Sequence, residues 1–369
     1  MKRAKVILII LILCFVITAG TASSFHINKS NFLNQLQNYS NKVNDFSQSS
    51  KDTDFDDFLF EPIDIQLEDD AFHGPKGLYS YEWWYFDASL DNGYSVQISI
   101  RVLNILNRVF FTTGLNVYKD GDTVSNSQKK YYKEEVTVSI AEPLVRLDGK
   151  EIMKGYIDND TGDWIYLLNL EMDDISVDFT FVGETKGWKG LTPGIGWWGV
   201  ILPRAKVTGT LTLNGIEMDV SGTGYHDHNW YVTAIAGVNY GWYWGKIDSH
   251  TCTITWADIK MTRFSEKPFI VINKKDGEYI NIPLNSIKLT ATDLRFNNLR
   301  FIPNSFRLLV DYEDIHLSID MDVLGTHHFR RFGFINYWRY HLHCSGHITI
   351  EGQTETIDEY NMAELLRFR

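Results

Sequence analysis

"KVTGTLTLNGIEMDVSGTGYHDHNW", Lys206 to Trp230, alternates apolar and polar residues on both sides of an Asn-Gly pair. Val207, Leu211 and Leu213 alternate with Thr208, Thr210 and Thr212; beyond Asn214-Gly215, Ile216, Met218 and Val220 alternate with Glu217, Asp219 and Ser221. Successive strand side chains point to opposite faces, so this is the pattern of a half-buried antiparallel hairpin. Asn-Gly accepts the positive φ that a two-residue hairpin turn requires. Equivalent pairs at Asn92-Gly93, Asp120-Gly121, Asp148-Gly149 and Asp276-Gly277 punctuate further alternating runs such as "YSVQISIRV" and "IHLSIDMDV". No long segment has a helical period. The expected class is all-β, as up-and-down barrels or sandwiches, because a meander of short strands has few other ways to hide its edges.

At 369 residues the chain exceeds a common single-domain size, and two domains are expected. We place the first at 71–225 and the second at 226–369. Ahead of them, "MKRAKVILIILILCFVITAGTASS" has three basic residues, an apolar run from Val6 to Ile17 and then small residues, the layout of a signal peptide or membrane anchor over 1–24. Residues 25–70 are rich in Asn, Ser, Gln and Asp and read as a polar linker. The expectation is an exported protein, secreted or held at a membrane by its N-terminus. A net charge of −12 without a basic stripe argues against a nucleic-acid partner. Past the leader only Cys252 and Cys344 remain, compatible with one disulfide or with two buried thiols.

The chemistry concentrates in "GTGYHDHNW", Gly222 to Trp230. Regular alternation places His226, His228 and Trp230 on one face and Tyr225, Asp227 and Asn229 on the other. A His-x-His pair is a spacing used by metal sites on sheets, but a third ligand is required. "THHFRR" (His327, His328) and "YHLHC" (His341, His343, Cys344) are the candidates, and sequence does not bring them together, so no metal is assigned. An acid-base site needs less: a histidine titrating near neutrality, oriented by a carboxylate. Asp227 could orient His228 only across a bulge, which Gly222 and Gly224 would permit. The competing reading is a hydrogen-bonded polar cluster that stitches two barrels together.

Two other stretches carry weight. In "YEWWYFDASL", Glu82 shares a strand face with Trp84 and Phe86; a carboxylate in such company is costly unless paired, and Arg101 or Arg204 is the expected partner of a structural Glu82. In "YGWYWGKIDSHTCTITWADIK", Trp242 and Trp244 share a face and Trp256 and Asp258 follow. Tryptophans at this density line a pocket for a long apolar ligand or close a barrel end.

Together "EWWYF" (Glu82–Phe86), "GWKGLTPGIGWWG" (Gly187–Gly199), the opening stretch and "WYWGKI" (Trp242–Ile247) resemble the carotenoid 1,2-hydratase and AttH-like superfamily over most of residues 75–369. The resemblance implies two packed lipocalin-like antiparallel β-barrels with an apolar pocket at or near their interface. It implies cofactor-independent acid-base chemistry on an isoprenoid-like substrate: hydration, isomerisation or cyclisation. His228 and Trp230 match the family's motif, and Asp258 is the loosest match to its acidic residue. On that reading His228 donates the proton, with His226 beside it; Asp227 or Asp258 orients it or acts as a second acid, and the Trp230 face stabilises developing positive charge. Trp84, Tyr225, Trp242, Trp244 and Trp256 would contact the ligand. The sequence departs from the family where its usual glycine after the motif tryptophan is Tyr231, which would narrow the pocket. The alternative function is a non-catalytic carrier of a lipid or other apolar ligand outside the cytoplasm.

Overall fold

The computed structural model describes residues 60–367 apart from 78, 107, 193–195, 233–239, 261–266, 276 and 332–334. The leader, most of the polar linker and Asp276 lie outside the described residues. The fold is almost entirely antiparallel strand, in two sheets. The first runs in spatial order β5 (Asp122–Tyr131), β4 (Arg108–Lys119), β3 (Tyr94–Ile105), β2 (Tyr79–Leu90), β13 (Ile216–Val232), β12 (Gly196–Leu213), β10 (Ile175–Gly183), β9 (Trp164–Met172), β8 (Lys150–Ile157), β7 (Leu144–Leu147) and β6 (Val136–Val138). A short β11 (Trp188–Thr192) also pairs with β12 and carries β1 (Ile63–Asp64). This sheet curls into a nearly closed barrel.

The second sheet, a curled half-barrel, runs β17 (Tyr279–Ile282), β16 (Pro268–Lys274), β15 (Cys252–Lys260), β14 (Gly241–Asp248), β22 (Gln353–Arg367), β21 (Ile335–Ile350), β20 (Ile315–Arg331), β19 (Arg300–Tyr312) and β18 (Ile287–Asn297). Each sheet encloses its own apolar core, one built around Phe86, Phe179, Phe181 and Leu211, the other around Trp256, Phe306, Trp338 and Tyr340. The turn chemistry follows the sequence. Asn214-Gly215, Asp120-Gly121 and Asp148-Gly149 each place both residues at positive φ, between 48° and 87°.

Three expectations need correction. The predicted linker ends too late: Phe60, Ile65 and Asp70 are buried, and β1 pairs with β11, so the folded body begins by Phe60. Their apolar side chains are too widely spaced to show a period. The sheet boundary does not fall at 225/226 either. β13 stays paired with β2 and β12 through the whole histidine motif, and the second sheet opens only at Gly241. Lastly, Gly222 and Gly224 produce no bulge against β2, whose register is regular from Gly222↔Leu90 to Asn229↔Trp83. They permit close approach instead: a Cβ at Gly224 would lie 2.4 Å from the Phe181 ring. Cys252 and Cys344 are both buried and unbridged in the second core.

The sheets are joined by aromatic and ionic contacts. Phe60 stacks on Phe269 at 4.2 Å, and Trp188 Nε1 donates to Asn273 Oδ1 at 3.2 Å. The guanidinium of Arg339, fully buried on β21, donates to Asp87 Oδ2 and to Tyr85 Oη across the junction and lies over the Tyr118 ring.

Candidate functional site

Because β13 pairs regularly with β2 from Gly222 to Asn229, alternation splits its motif between two environments. His226 and His228 point into the first barrel, where both are fully buried. His226 stacks on Phe86 at 3.8 Å, and His228 stacks on Trp84 at 4.5 Å. Two carboxylates meet them there. Asp70, at the end of a 3-10 turn (Leu67–Asp70), lies 3.0 Å from His226 Nε2 through Oδ2 and 3.2 Å from His228 Nδ1 through Oδ1. Asp70 also accepts from Tyr166 Oη at 2.7 Å. Glu82 Oε1 lies 3.1 Å from His228 Nε2, and the same carboxylate accepts from the backbone N–H groups of His73 and Gly74.

The electrostatics of this cluster follow from pairing. Burial opposes the charge on His228, but the hydrogen bonds and charges of Asp70 and Glu82 prevail and raise its pKa to about 9. Burial likewise penalises the Asp70 carboxylate, and the two histidines reverse that, lowering it to about 2. Glu82 is held below its ordinary range in the same way, by His228 and His73 against burial. The cluster is thus an imidazolium clasped by two carboxylates. Its predicted partners for Glu82 were wrong. Arg101 faces the other side of the sheet, opposite Trp83, and Arg204 is bound to Glu184 and to the Ser249 carbonyl. His73, Glu82 and His228 present ligand atoms within 4.8 Å of one another, a set that could ligate a divalent metal. Glu82 links the three, through His228 Nε2 and the His73 backbone N–H, while His73 Nδ1 lies 3.6 Å from Glu82 Oε1 without a hydrogen bond.

The other face of β13 opens into a different place. Asp227, Asn229 and Trp198 line an open cleft between the sheets, walled by Trp83, Trp242, Trp244 and Phe269, with Tyr85, Glu364, Ala257 and Ile259 also facing it. Asp227 is 6% exposed. Tyr225 Oη and Trp198 Nε1 donate to its Oδ2 at 2.8 and 3.1 Å, and Asn229 Nδ2 donates to Oδ1 at 3.2 Å. Burial is the largest influence on this carboxyl and outweighs those donors, and the nearby Glu364 charge adds to it; the pKa rises to about 7. Glu364 accepts from Tyr337 Oη and from Gln97 Nε2. Trp244 Nε1 is buried without an acceptor among the described residues.

The predicted site residues are therefore divided among three places. His226, His228, Trp84 and Glu82 belong to the sealed first barrel. Trp230 closes that group, stacking on His73 at 4.4 Å. Tyr225, Asp227, Trp242 and Trp244 belong to the cleft or its floor. Asp258 and Trp256 are on the far face of β15 from Ala257 and Ile259, which line the cleft; Asp258 pairs with Lys260 at 3.0 Å and accepts from the Lys267 N–H, and Trp256 fills the second core. The structure does not bring Asp258 to His228, nor Asp227 to the same face as His228. His327, His328, His341 and His343 are on the second sheet, bonded elsewhere or packed against Tyr118. Tyr231 does not narrow the cleft: its ring edges His73, and its φ of 54° is the left-handed conformation that a glycine there would adopt freely.

Sequence reasoning missed Asp70, His73 and Tyr166 in the first barrel and Trp198 and Glu364 in the cleft. Asp70 was hidden in the acidic run "LEDDAF", where nothing marks one aspartate for burial. The pair Trp197-Trp198 offered a signal, since a second tryptophan at that point alternates to the face opposite the first.

Fold and sites together define a double lipocalin-like β-barrel protein with a tryptophan-walled cleft between its sheets. Solved structures share that fold. One is a candidate AttH protein from Nitrosomonas europaea, at a TM-score of 0.60 and 12% identity, matching 83% of this chain and 97% of that one. Another is kievitone hydratase from Nectria haematococca, at 0.55 and 15%, with 83% and 93% covered. CghA, crystallised with Sch210972, follows at 0.53 and 11%, with 78% and 88% covered. No protein-family model and no curated protein sequence matches the chain.

Proposed function

We propose that the inter-sheet cleft catalyses proton transfer to an apolar, alkene-bearing, isoprenoid-like substrate, without a cofactor, and that Asp227 is the acid. One observation carries this reading: a carboxyl whose pKa is raised to about 7 opens into a cleft walled by tryptophans. A general acid works best when its pKa lies near the ambient pH. Protonation of a double bond leaves a carbocation, and the π faces of Trp83, Trp242 and Trp244 would stabilise that charge. The Asp227 carboxylate then takes a proton back, from water that has added to the cation or from a neighbouring carbon. The first course is hydration and the second isomerisation; attack by a second double bond gives cyclisation. The unpartnered Trp244 Nε1 supplies a donor for one substrate oxygen. The fold is shared with kievitone hydratase, which agrees with the reading.

On this reading His228 is a structural cation, not the acid, because both its ring nitrogens face carboxylates inside the closed barrel. The test is a panel of isoprenoid alkenes offered to wild type and to Asp227→Asn. Turnover should fall 10²- to 10⁴-fold in the variant, while quenching of tryptophan fluorescence by bound alkene persists. Binding of alkenes with equal, negligible conversion by both proteins would favour the carrier function instead.

A further inference from the structure

The second sheet ends in a two-stranded ribbon whose tip is more apolar outside than inside. β18 and β19 pair from Ile287↔Val310 out to Asn297↔Arg300, whereas β20 joins β19 only from Ser305↔Asp322 inward. The outer part of the ribbon is therefore paired to itself alone among the described residues. Leu294, Phe296, Leu299 and Phe301, four large apolar residues within eight positions, are 61%, 63%, 71% and 65% exposed. Phe296 and Phe301 are cross-strand partners with rings 5.4 Å apart, and Leu294 shares their face.

The opposite face holds the ribbon in place. Asn297 Oδ1 accepts from Trp338 Nε1 at 3.0 Å, and Ile302 is fully buried in the second core. The turn itself is unfavourable. Asn298 and Leu299 have φ of 46° and 62°, and a leucine in the left-handed region is strained where a glycine would not be. An exposed leucine in that conformation at the very tip has no explanation within the fold.

Charge indicates what the tip meets. Arg295 and Arg300, register partners of Ile302 and Asn297 on the ribbon's other face, are exposed at the tip and form no ion pair among the described residues; Arg300 Nη1 reaches only the Leu299 carbonyl. Trp338 is the register partner of His328, so the tip lies beside the end of β20, where Arg330 is also exposed. Asp293 is the acidic residue on the outer part of the ribbon, and it accepts from Asn304. In a chain of net charge −12, this is a local basic and aromatic projection. A convex tip of four side chains offers roughly 500 Å² of apolar surface, less than the ~800 Å² per partner of a stable protein interface. A bilayer requires no complementary shape, and its anionic headgroups attract arginine.

We propose that the β18–β19 ribbon is a docking wedge for an anionic lipid surface, with Phe296, Leu299 and Phe301 entering the acyl boundary and Arg295 and Arg300 meeting headgroups. The test uses the full chain carrying Cys14→Ser and Leu299→Cys, labelled at residue 299 with an environment-sensitive fluorophore. Cys252 and Cys344 are buried and do not compete for label. The probe reports the ribbon's own surroundings, whatever the N-terminus does. With vesicles containing phosphatidylglycerol its emission should shift to the blue and be quenched by spin-labelled lipid. Adding Arg295→Glu and Arg300→Glu should raise the vesicle concentration needed at least tenfold, from about fivefold per arginine removed, with unchanged circular dichroism. A probe that stays aqueous with every vesicle overturns the proposal. So does a blue shift that depends on protein concentration and not on lipid, which would identify a second copy of the chain as the occupant.

Discussion

Replacing Asp227 by Asn should make the protein more stable as well as inactive, and the gain should grow with pH. In the native state this carboxyl holds its proton up to about pH 7, against 3.8 in an unperturbed chain. At about 1.4 kcal/mol for each tenfold change in proton affinity, that difference amounts to ~4 kcal/mol. The sign follows from proton counting. Between pH 4 and 7 the folded protein is protonated at Asp227 while the unfolded chain has ionised, so rising pH favours unfolding across this interval and flattens above about 7. Asparagine removes that dependence. Its Oδ1 accepts from Tyr225 and Trp198 as Asp227 does, and its amide faces Asn229, which can turn its own oxygen inward. Measured by urea unfolding followed by circular dichroism, the variant's stability relative to wild type should rise by ~3 kcal/mol between pH 4.5 and pH 8. In thermal melts of a body this size that is roughly 5–10 °C. A flat difference across the range, or one that falls with pH, refutes the claim that Asp227 is held protonated by burial.

Other outcomes follow from the same geometry. Turnover by the wild type should be highest below pH 7 and fall tenfold per pH unit above it, as the Asp227 acid is lost; a pH–rate profile of kcat/KM checks this. His228→Gln should cost ~3–5 kcal/mol in unfolding measurements at pH 6, because it leaves Asp70 and Glu82 buried without their cation. The stability supplied by His228 is complete below about pH 6.5 and lost as pH rises through about 9, so the gap between wild type and His228→Gln should close above that pH. Arg339→Met should destabilise by a similar ~3–5 kcal/mol, since Asp87 would remain buried at the sheet junction. Cys252 and Cys344 should resist alkylation at pH 8 until the protein is denatured: burial raises both thiols, Cys344 to about 12.

What was legible in the sequence was what depends on period two. The hairpin at Asn214-Gly215, the all-β class and the division of His226/His228 from Tyr225/Asp227/Asn229 all follow from alternation, which β13 obeys against β2 from Gly222 to Asn229. The family resemblance supplied the double barrel, which the solved structures share. The partner of Glu82 was not legible. It depends on which strand neighbours β2, and β13 reaches that place from more than a hundred residues away. Nor did local polarity disclose Asp70, whose burial is set by Tyr166 and the two histidines on distant strands. The resemblance drew attention to His228 as acid, while the burial that raises a carboxyl toward neutrality acts on its neighbour Asp227. Both residues carry chemistry in the sequence, and only packing distinguishes a neutralised pair from a titratable group.

β13 is one peptide thick, and that has a consequence for how the protein can change. The His228 charge on one side lowers the proton affinity of Asp227 on the other, with only the backbone between them. Substitutions around Asp70, Glu82 or His228, none of which reaches a ligand in the cleft, would move the acidity at which the cleft works. The interior of the first barrel is in this sense a tuning dial for its outside, and two related chains with identical cleft walls could operate in compartments of different pH.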